Sequence, residues 1–122
     1  MKKYTKDHEW VLIEGSKATV GITEYAATEL GDITFVEVPV VDDDATIGEV
    51  LTVVESVKAA TDVFAPVTGT IVEVNEELED NPQLVNEAAE EGGWICKIDS
   101  SEDINLDKLM SEEEYNSYIK SL

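Results

Sequence analysis

Short β-rich runs, each ended by glycine, proline or aspartate, fill most of the first 100 residues and limit what this chain can fold into. The runs Glu9–Glu14 and Lys17–Ile22 are joined by Gly15 and Ser16 and predict a hairpin. Many short strands with frequent turns predict an antiparallel sandwich or a small barrel. The further predicted strands are residues 33–38, 50–55, 61–64, 70–75 and 94–99.

Two short helices are predicted between the strands. Thr23 is a typical N-cap for residues 24–30, and Gly31 is a typical helix end. Asn81 is an N-cap followed by proline at the first helical position, which predicts a single helical turn through Val85.

A third, C-terminal helix is predicted over about residues 111–121. Ser111 and Glu114 have the spacing of a capping box. The apolar positions behind them repeat at the spacing of one helix face, at Tyr115, Tyr118, Ile119 and Leu122. We expect this face to pack on the sheet.

The chain length favours one domain. With 122 residues and 43% hydrophobic content, the chain can bury one core but not a second independent one. We therefore expect a single domain over residues 1–122, with its core at about residues 8–99. No apolar run approaches the roughly 20 residues of a membrane span. No apolar stretch typical of a secretory signal follows the early lysines, so a cytoplasmic location is expected.

The charge is strongly acidic. The 28 Asp and Glu residues oppose eight lysines and no arginine, and the formal net charge is −20. Such a surface repels nucleic-acid phosphates and anionic lipids, so neither nucleic acid nor a membrane is expected as a partner. The same charge would attract basic patches on protein partners, or it serves solubility alone. The charge by itself leaves both interpretations open.

The single cysteine and the single histidine leave few options for chemistry. Cys96 lies in an apparent strand and is predicted to be a buried, inert thiol. His8 alone cannot build an imidazole metal site, and any catalytic triad would depend on it. Residues 42–44 are all Asp but lack the spacing of a calcium loop, so a solvated turn is predicted. We therefore expect neither an enzyme nor a metal site.

Lys58 is isolated among acidic residues. Between residues 18 and 96 there are 18 acidic residues and only this basic one. β-rich arms on both sides predict a hairpin with Lys58 near its tip, although the tip lacks the Gly, Asn or Asp of tight turns. The small side chains of Ala59 and Ala60 would leave the lysine amine accessible to a modifying enzyme. The pattern fits a modified lysine or an ordinary solvated lysine on a turn.

The segment Glu55-Ser56-Val57-Lys58-Ala59 resembles the lipoylation motif of the glycine cleavage system H proteins. Other motifs follow in the family's order, and the resemblance covers about residues 4–119. They are His8-Glu9-Trp10-Val11, residues 18–23, Gly31-Asp32-Ile33, Asp62, residues 65–69, 72–75 and 79–82, Leu84-Val85-Asn86 and Gly93-Trp94. Several ordered motifs over nearly the whole chain are far more specific than one lysine.

The resemblance implies a mainly β fold, the biotinyl/lipoyl-type barrel-sandwich hybrid of antiparallel strands with short added helices. It implies lipoate as a covalent cofactor, in amide linkage to Lys58. It also makes Glu9 and Asp62 candidates to line a surface cleft that shields the loaded arm, where carboxylates suit a cationic amine. The recognition motif around the lysine consists of Glu55, Ser56, Val57 and Ala59.

In this family the protein is a carrier and not an enzyme. The resemblance implies that lipoyl-Lys58 takes the aminomethyl group of glycine from the pyridoxal-phosphate glycine decarboxylase to the tetrahydrofolate-dependent aminomethyltransferase. Dihydrolipoamide dehydrogenase then reoxidises the arm. A lipoate ligase or lipoyl transferase is implied as the attaching enzyme, and a monomer is expected.

One stretch departs from the family pattern. Many members have a Pro-Tyr pair between the Asn and the Gly-Trp, whereas residues 87–93 lack both. The sequence therefore does not predict the conformation of this loop.

Three alternatives stay open. Another swinging-arm domain is the first, although biotin carriers usually have Met on both sides of the lysine and 2-oxoacid dehydrogenase domains usually have Asp before it. Here the neighbours are Val57 and Ala59. A lipoyl donor in lipoate relay is the second, and an unmodified acidic interaction module is the third.

Overall fold

The computed structural model describes residues 1–100 and 109–122, and all structural statements concern these ranges. The strands are β1 Lys2–Tyr4, β2 Glu9–Glu14, β3 Lys17–Ile22, β4 Ile33–Val36, β5 Asp44–Ala45, β6 Val50–Ser56, β7 Ala60–Phe64, β8 Gly69–Val74 and β9 Cys96–Asp99. The helices are α1 Glu24–Leu30, α2 Glu77–Asp80, α3 Leu84–Glu87 and α4 Glu112–Lys120.

The strands form two sheets. The larger sheet has the order β1-β2-β3-β9-β8-β5, and the smaller sheet has the order β4-β6-β7. Every strand pairing described in both sheets is antiparallel. The predicted class, mainly antiparallel β with short added helices, is confirmed.

One hydrophobic core lies between the sheets. Its buried side chains come from both, as with Val20 and Ile98 of the larger sheet and Val54 and Val63 of the smaller one. A second cluster lies on the opposite face of the larger sheet, where Trp10 packs with aromatic residues of β1 and α4. Strand β2 serves both clusters because successive side chains of a strand point to opposite faces.

The strand predictions agree best where pairing is local. The hairpin of β2 and β3 has the predicted bounds. The prediction for residues 33–38 is two residues too long, and that for residues 94–99 begins two residues too early. The very short strands β1 and β5 were not predicted, because three and two residues are too few to show the periodicity of a strand.

Helix α1 is confirmed with its predicted bounds. The Thr23 side chain accepts a hydrogen bond from the Ala26 N–H. The turn predicted directly after Asn81 begins later, at Leu84, and helix α2 was not predicted. None of the described helices is long and apolar enough to cross a membrane.

The C-terminal helix α4 is confirmed, including its capping box at Ser111. Its buried Tyr115 stacks on Tyr4 of β1, with ring centroids 4.8 Å apart. Just before the helix, Met110 pairs with Tyr4 through two backbone hydrogen bonds of 2.7 and 2.8 Å and so lies along the outer edge of β1. The prediction for Leu122 is wrong: the helix ends at Lys120, and Leu122 is 63% exposed.

Cys96 is buried in β9, as predicted. Burial raises the pKa of its thiol to about 12, which keeps the thiol protonated and unreactive. The predicted single domain over residues 1–122 includes residues 101–108, which lie outside the described residues, and it stays a prediction.

Candidate functional site

Lys58 lies in the turn between β6 and β7, at the tip of the smaller sheet. The Ser56 hydroxyl oxygen accepts hydrogen bonds from the N–H groups of Lys58 and Ala59, at 3.1 and 3.2 Å. The Ser56 N–H donates to the Ala59 carbonyl at 2.8 Å. A serine hydroxyl can bind backbone groups of a turn as an Asn or Asp side chain does, and no residue of this turn has the positive φ that favours Gly. This explains how the hairpin closes without any of these residues.

The Lys58 side chain is exposed, and among the residues that the structure describes its amine has one weak hydrogen-bond partner. Its Nζ donates to the backbone carbonyl of Glu29 at 3.2 Å, in the last turn of α1. Carbonyl groups at a helix C-terminus attract positive charge. In the described part of the chain no carboxylate lies within ion-pair distance of this amine. A single exposed hydrogen bond leaves the amine available to a modifying enzyme.

The turn rests against the connection between α1 and β4. Gly31 has a φ of 76° and a ψ of −152°, a region that glycine alone adopts readily. A Cβ at this position would lie 3.7 Å from Lys58 Cε and 3.8 Å from Val57 Cγ2. The Val57 N–H donates to the Asp32 carbonyl at 3.0 Å. The connection between α1 and β4 therefore packs against the lysine turn and holds it through this hydrogen bond.

Asn86 holds this connection in place. Its Nδ2 donates to the Gly31 carbonyl at 2.7 Å, and its Oδ1 accepts from the Ile33 N–H at 2.8 Å. The sequence predicts no role for Asn86 beyond its place in a motif. No local pattern links it to residues more than 50 positions earlier, so only the fold reveals the contact.

Glu9 is a buried carboxylate, only 2% exposed. Its Oε1 accepts from the Thr5 hydroxyl at 2.7 Å, and its Oε2 accepts from the Phe64 N–H at 3.2 Å. Burial raises the pKa of Glu9 to about 7, despite these two hydrogen bonds, which favour the charged form. The Glu9 carboxylate lies beside Phe64, at the end of β7 that is distant from Lys58. With a pKa of about 7, it loses its proton near neutral pH.

Asp62 is exposed on β7, opposite Val53. It lies two residues before Phe64, the residue whose N–H reaches Glu9. The structure thus places Asp62 on β7 and the carboxylate of Glu9, a residue of β2, against the last residue of β7. The lysine turn is at the other end, and the five residues of β7, from Ala60 to Phe64, span roughly 13 Å. Only an extended arm on Lys58 would cover this distance.

His8 takes part in an aromatic cluster rather than in a reactive site. Its Nδ1 lies 2.9 Å from the Tyr115 hydroxyl, and its ring lies 4.8 Å from that of Tyr25. Burial lowers the pKa of His8, which favours the neutral ring. In the described residues no group of three His, Cys, Asp or Glu side chains is placed to hold a metal ion.

The loop over residues 87–93 has a defined conformation without the Pro-Tyr pair. The Trp10 indole N–H donates to the Ala89 carbonyl at 2.9 Å. The Glu90 carboxylate accepts from Lys2 Nζ at 2.8 Å and from the Tyr4 hydroxyl at 3.1 Å. These contacts tie the loop to β1 and β2, on the side of the larger sheet.

Comparisons with known proteins agree over nearly the whole chain. Residues 2–122 match the family model described as Glycine cleavage H-protein. A glycine cleavage system H protein of Staphylococcus epidermidis is 54% identical over 117 residues, which are 96% of this chain and 93% of that protein. The protein of the same name from Staphylococcus saprophyticus is 51% identical with the same coverage.

The fold agrees as well. The crystal structure of a glycine cleavage system H protein from Mycobacterium marinum aligns with a TM-score of 0.87 and 33% sequence identity. The alignment covers 99% of this chain and 97% of that chain. The family resemblance read from the sequence and the fold class that it implies are both confirmed.

Proposed function

Because the chain belongs to the glycine cleavage H-protein family, we propose that it carries lipoate in amide linkage to Lys58. The protein is a carrier without catalytic activity of its own. One observation supports Lys58 above all: its amine projects from the tip of a hairpin, and within residues 1–100 and 109–122 its one hydrogen-bond partner is the Glu29 carbonyl.

The residues around Lys58 fit a covalent arm. When bound, lipoate would supply a disulfide that is reduced as one sulfur takes up a one-carbon amine, and oxidation of the dithiol left after release would restore it. The chain's own residues hold the attachment point: Ser56 closes the turn, and Gly31 leaves room beside the lysine side chain. The neighbouring side chains Ala59 and Ala60 are small and exposed, so an enzyme can approach the amine.

The partners follow from the glycine cleavage system. We propose that the arm visits the glycine decarboxylase, the aminomethyltransferase and dihydrolipoamide dehydrogenase in turn. Tethering to a rigid hairpin raises the effective concentration of the arm at each of their sites. The cytoplasmic location and the monomeric state stay predictions.

Glu9 and Asp62 are proposed to receive the loaded arm. A cationic amine that reaches the end of β7 would meet the buried carboxylate of Glu9, which lies against Phe64. It would also pass the exposed carboxylate of Asp62, which lies on β7 itself. A cation beside Glu9 would favour its ionised form and lower its pKa from about 7. Charge pairing of this kind would hold the amine away from bulk water.

The direct test compares wild type with Lys58→Arg. Both are expressed in a lipoylating host, examined by intact mass and assayed for glycine decarboxylation with purified partner enzymes. We expect a lipoyl mass increment and activity for wild type only, because arginine keeps the charge but cannot form the same amide.

Lys17→Arg is the matched control, since Lys17 is also exposed but lies in the first hairpin. It should retain both the mass increment and the activity. Equal activity of wild type and Lys58→Arg would refute the carrier function.

A further inference from the structure

The outer side of the smaller sheet is an exposed surface beside Lys58. Phe35 lies opposite Glu55 across β4 and β6, and Asp62 lies opposite Val53 across β6 and β7. Residues two apart on a strand share a face, so Glu55 and Val53 point to the same side. The surface, here called the outer face, is formed by the exposed side chains of Phe35, Glu37, Glu55, Val57 and Asp62.

Two large apolar side chains lie in the outer face. Phe35 is 49% exposed and Val57 is 67% exposed. Val57 directly precedes Lys58, one residue beyond the end of β6, and its N–H donates to the carbonyl of Asp32 just before β4. Exposed large apolar side chains rimmed by polar groups are typical of protein-binding surfaces.

The charges of the outer face limit its partner. Glu37, Glu55 and Asp62 are all exposed acids, and Lys58 stands at the rim. A second copy of the chain would bring a net charge of −20 against the same charge, which disfavours self-association. A protein surface with lysine or arginine around an apolar depression is complementary.

The short length of the unmodified lysine side chain indicates which protein partner would bind the outer face. Before lipoate is attached, the reacting nitrogen is held on a four-carbon stem, so the attaching enzyme must come close to the turn. Enzymes that act on the long finished arm do not need the same approach. Resting on the proposed function, we infer that the outer face is the docking surface for the enzyme that lipoylates Lys58, through Phe35 and Val57 inside an acidic rim.

The step that follows docking is a simple acyl transfer. The ammonium of Lys58 loses a proton, and its nitrogen attacks the acyl carbon of an activated lipoyl donor, such as an acyl adenylate or thioester. The new amide bond forms as the bond from carbon to the leaving group breaks. The leaving group departs with the bonding electrons, and the nitrogen loses a second proton.

The experiment measures attachment of lipoate to the unmodified full chain by a purified lipoylating enzyme, followed by intact mass. Phe35→Thr and Val57→Thr remove apolar surface while keeping β-propensity. We expect KM for the protein to rise roughly tenfold for Phe35→Thr, the effect of an interface residue worth about 1.4 kcal/mol, and roughly threefold for Val57→Thr. The value of kcat should change little, since the amine and its turn are kept.

Val40→Thr is the control, because Val40 is 62% exposed but lies outside the outer face, in the connection after β4. It should keep the wild-type KM. Acylation of Lys58 by a small activated ester should proceed at the same rate in all variants, which shows that the turn is intact. Thermal unfolding identifies any variant that has lost its fold, and Val57→Thr then carries the test.

Two results would overturn the inference: a wild-type KM in both outer-face variants, or a rise in KM for Val40→Thr as large as theirs. A fall in kcat at unchanged KM would also contradict it. In each case lipoylation of wild type at Lys58 leaves the carrier function standing. Failure of wild type to become lipoylated would instead refute the proposed function, and the inference with it.

Discussion

Glu9 is an acidic residue that the fold removes from water. Its carboxylate is buried and binds the Thr5 hydroxyl and the Phe64 N–H. The carboxyl group has a higher pKa in the folded chain than in the unfolded chain, so the folded state holds its proton more tightly. The free energy of unfolding should therefore fall as pH rises from about 4.5 through about 7.

Glu9→Gln should remove this pH dependence. The amide can accept from the Phe64 N–H and donate to the Thr5 hydroxyl oxygen, so the geometry is kept without a charge. At pH 5 the variant and wild type should have similar stability, whereas at pH 8 the variant should be more stable by up to about 3 kcal/mol. Urea unfolding at the two pH values measures the difference.

Glu14→Gln is the control, on the exposed end of the same strand. It should change the pH dependence of unfolding little. If Glu9→Gln is less stable than wild type at pH 8, the ionised carboxylate stabilises the fold, and the expected loss of stability on ionisation of Glu9 is wrong.

At the residue scale, the sequence could single out Lys58 as a candidate attachment site, but it could not predict the burial of Glu9. Lys58 stands out because it is the one basic residue among 18 acidic residues and lies between two β-rich arms. Glu9 reads as an ordinary strand acid. In the fold it is buried, and it accepts a hydrogen bond from the Phe64 N–H, which lies 55 residues away in sequence.

At the element scale, the lysine hairpin depends on a neighbouring element for support. Asn86 of α3 binds both sides of the turn between α1 and β4, and that turn accepts a hydrogen bond from the Val57 N–H at the Asp32 carbonyl. Helix α3 has only four residues, too few to be stable alone. The support therefore exists only when the elements are assembled.

Asn86→Ala should destabilise the chain by about 1–2 kcal/mol, because two hydrogen bonds are lost and the Ile33 N–H is left without its partner. Hydrogen exchange of the Ile33 and Val57 amides should quicken more than the exchange of amides in β2. Denaturant unfolding and amide exchange provide the two measurements.

Asn116→Ala is the matched control, since Asn116 is exposed on α4. It should leave the exchange at Ile33 and Val57 unchanged. Unchanged exchange in Asn86→Ala as well would show that the connection is held by other contacts.

The elements that the sequence predicted well are those with local chemistry. Thr23 and the Ser111 capping box place the ends of α1 and α4 without reference to the rest of the chain. Strands β1 and β5 have three and two residues and exist only through their pairing with β2 and β8. Their sequences contain no periodicity long enough to reveal them.

At the scale of the whole molecule, the net charge of −20 should govern how fast partners meet the carrier. Oxidation of the reduced lipoyl protein by dihydrolipoamide dehydrogenase provides a test. If the partner presents a basic surface, kcat/KM should fall several-fold between 0.01 and 0.15 M salt, because the Debye length shrinks from about 30 Å to about 8 Å.

Free dihydrolipoamide is the control substrate, since it is uncharged and lacks the acidic protein. Its kcat/KM should change little over the same range of salt. Equal salt dependence for the two substrates would show that the acidic surface does not steer this encounter and serves solubility instead.

The pairing of Met110 with Tyr4 has a consequence for the behaviour of the chain in concentrated solution. β1 is the outermost strand of the larger sheet, and a bare outermost strand can recruit strands from other molecules into aggregates. Met110, just before α4, pairs with part of that edge. Tyr115 of α4 stacks on Tyr4 and holds the segment against β1. Because the C-terminal segment occupies backbone groups of β1, it should disfavour the addition of strands from other molecules at this edge.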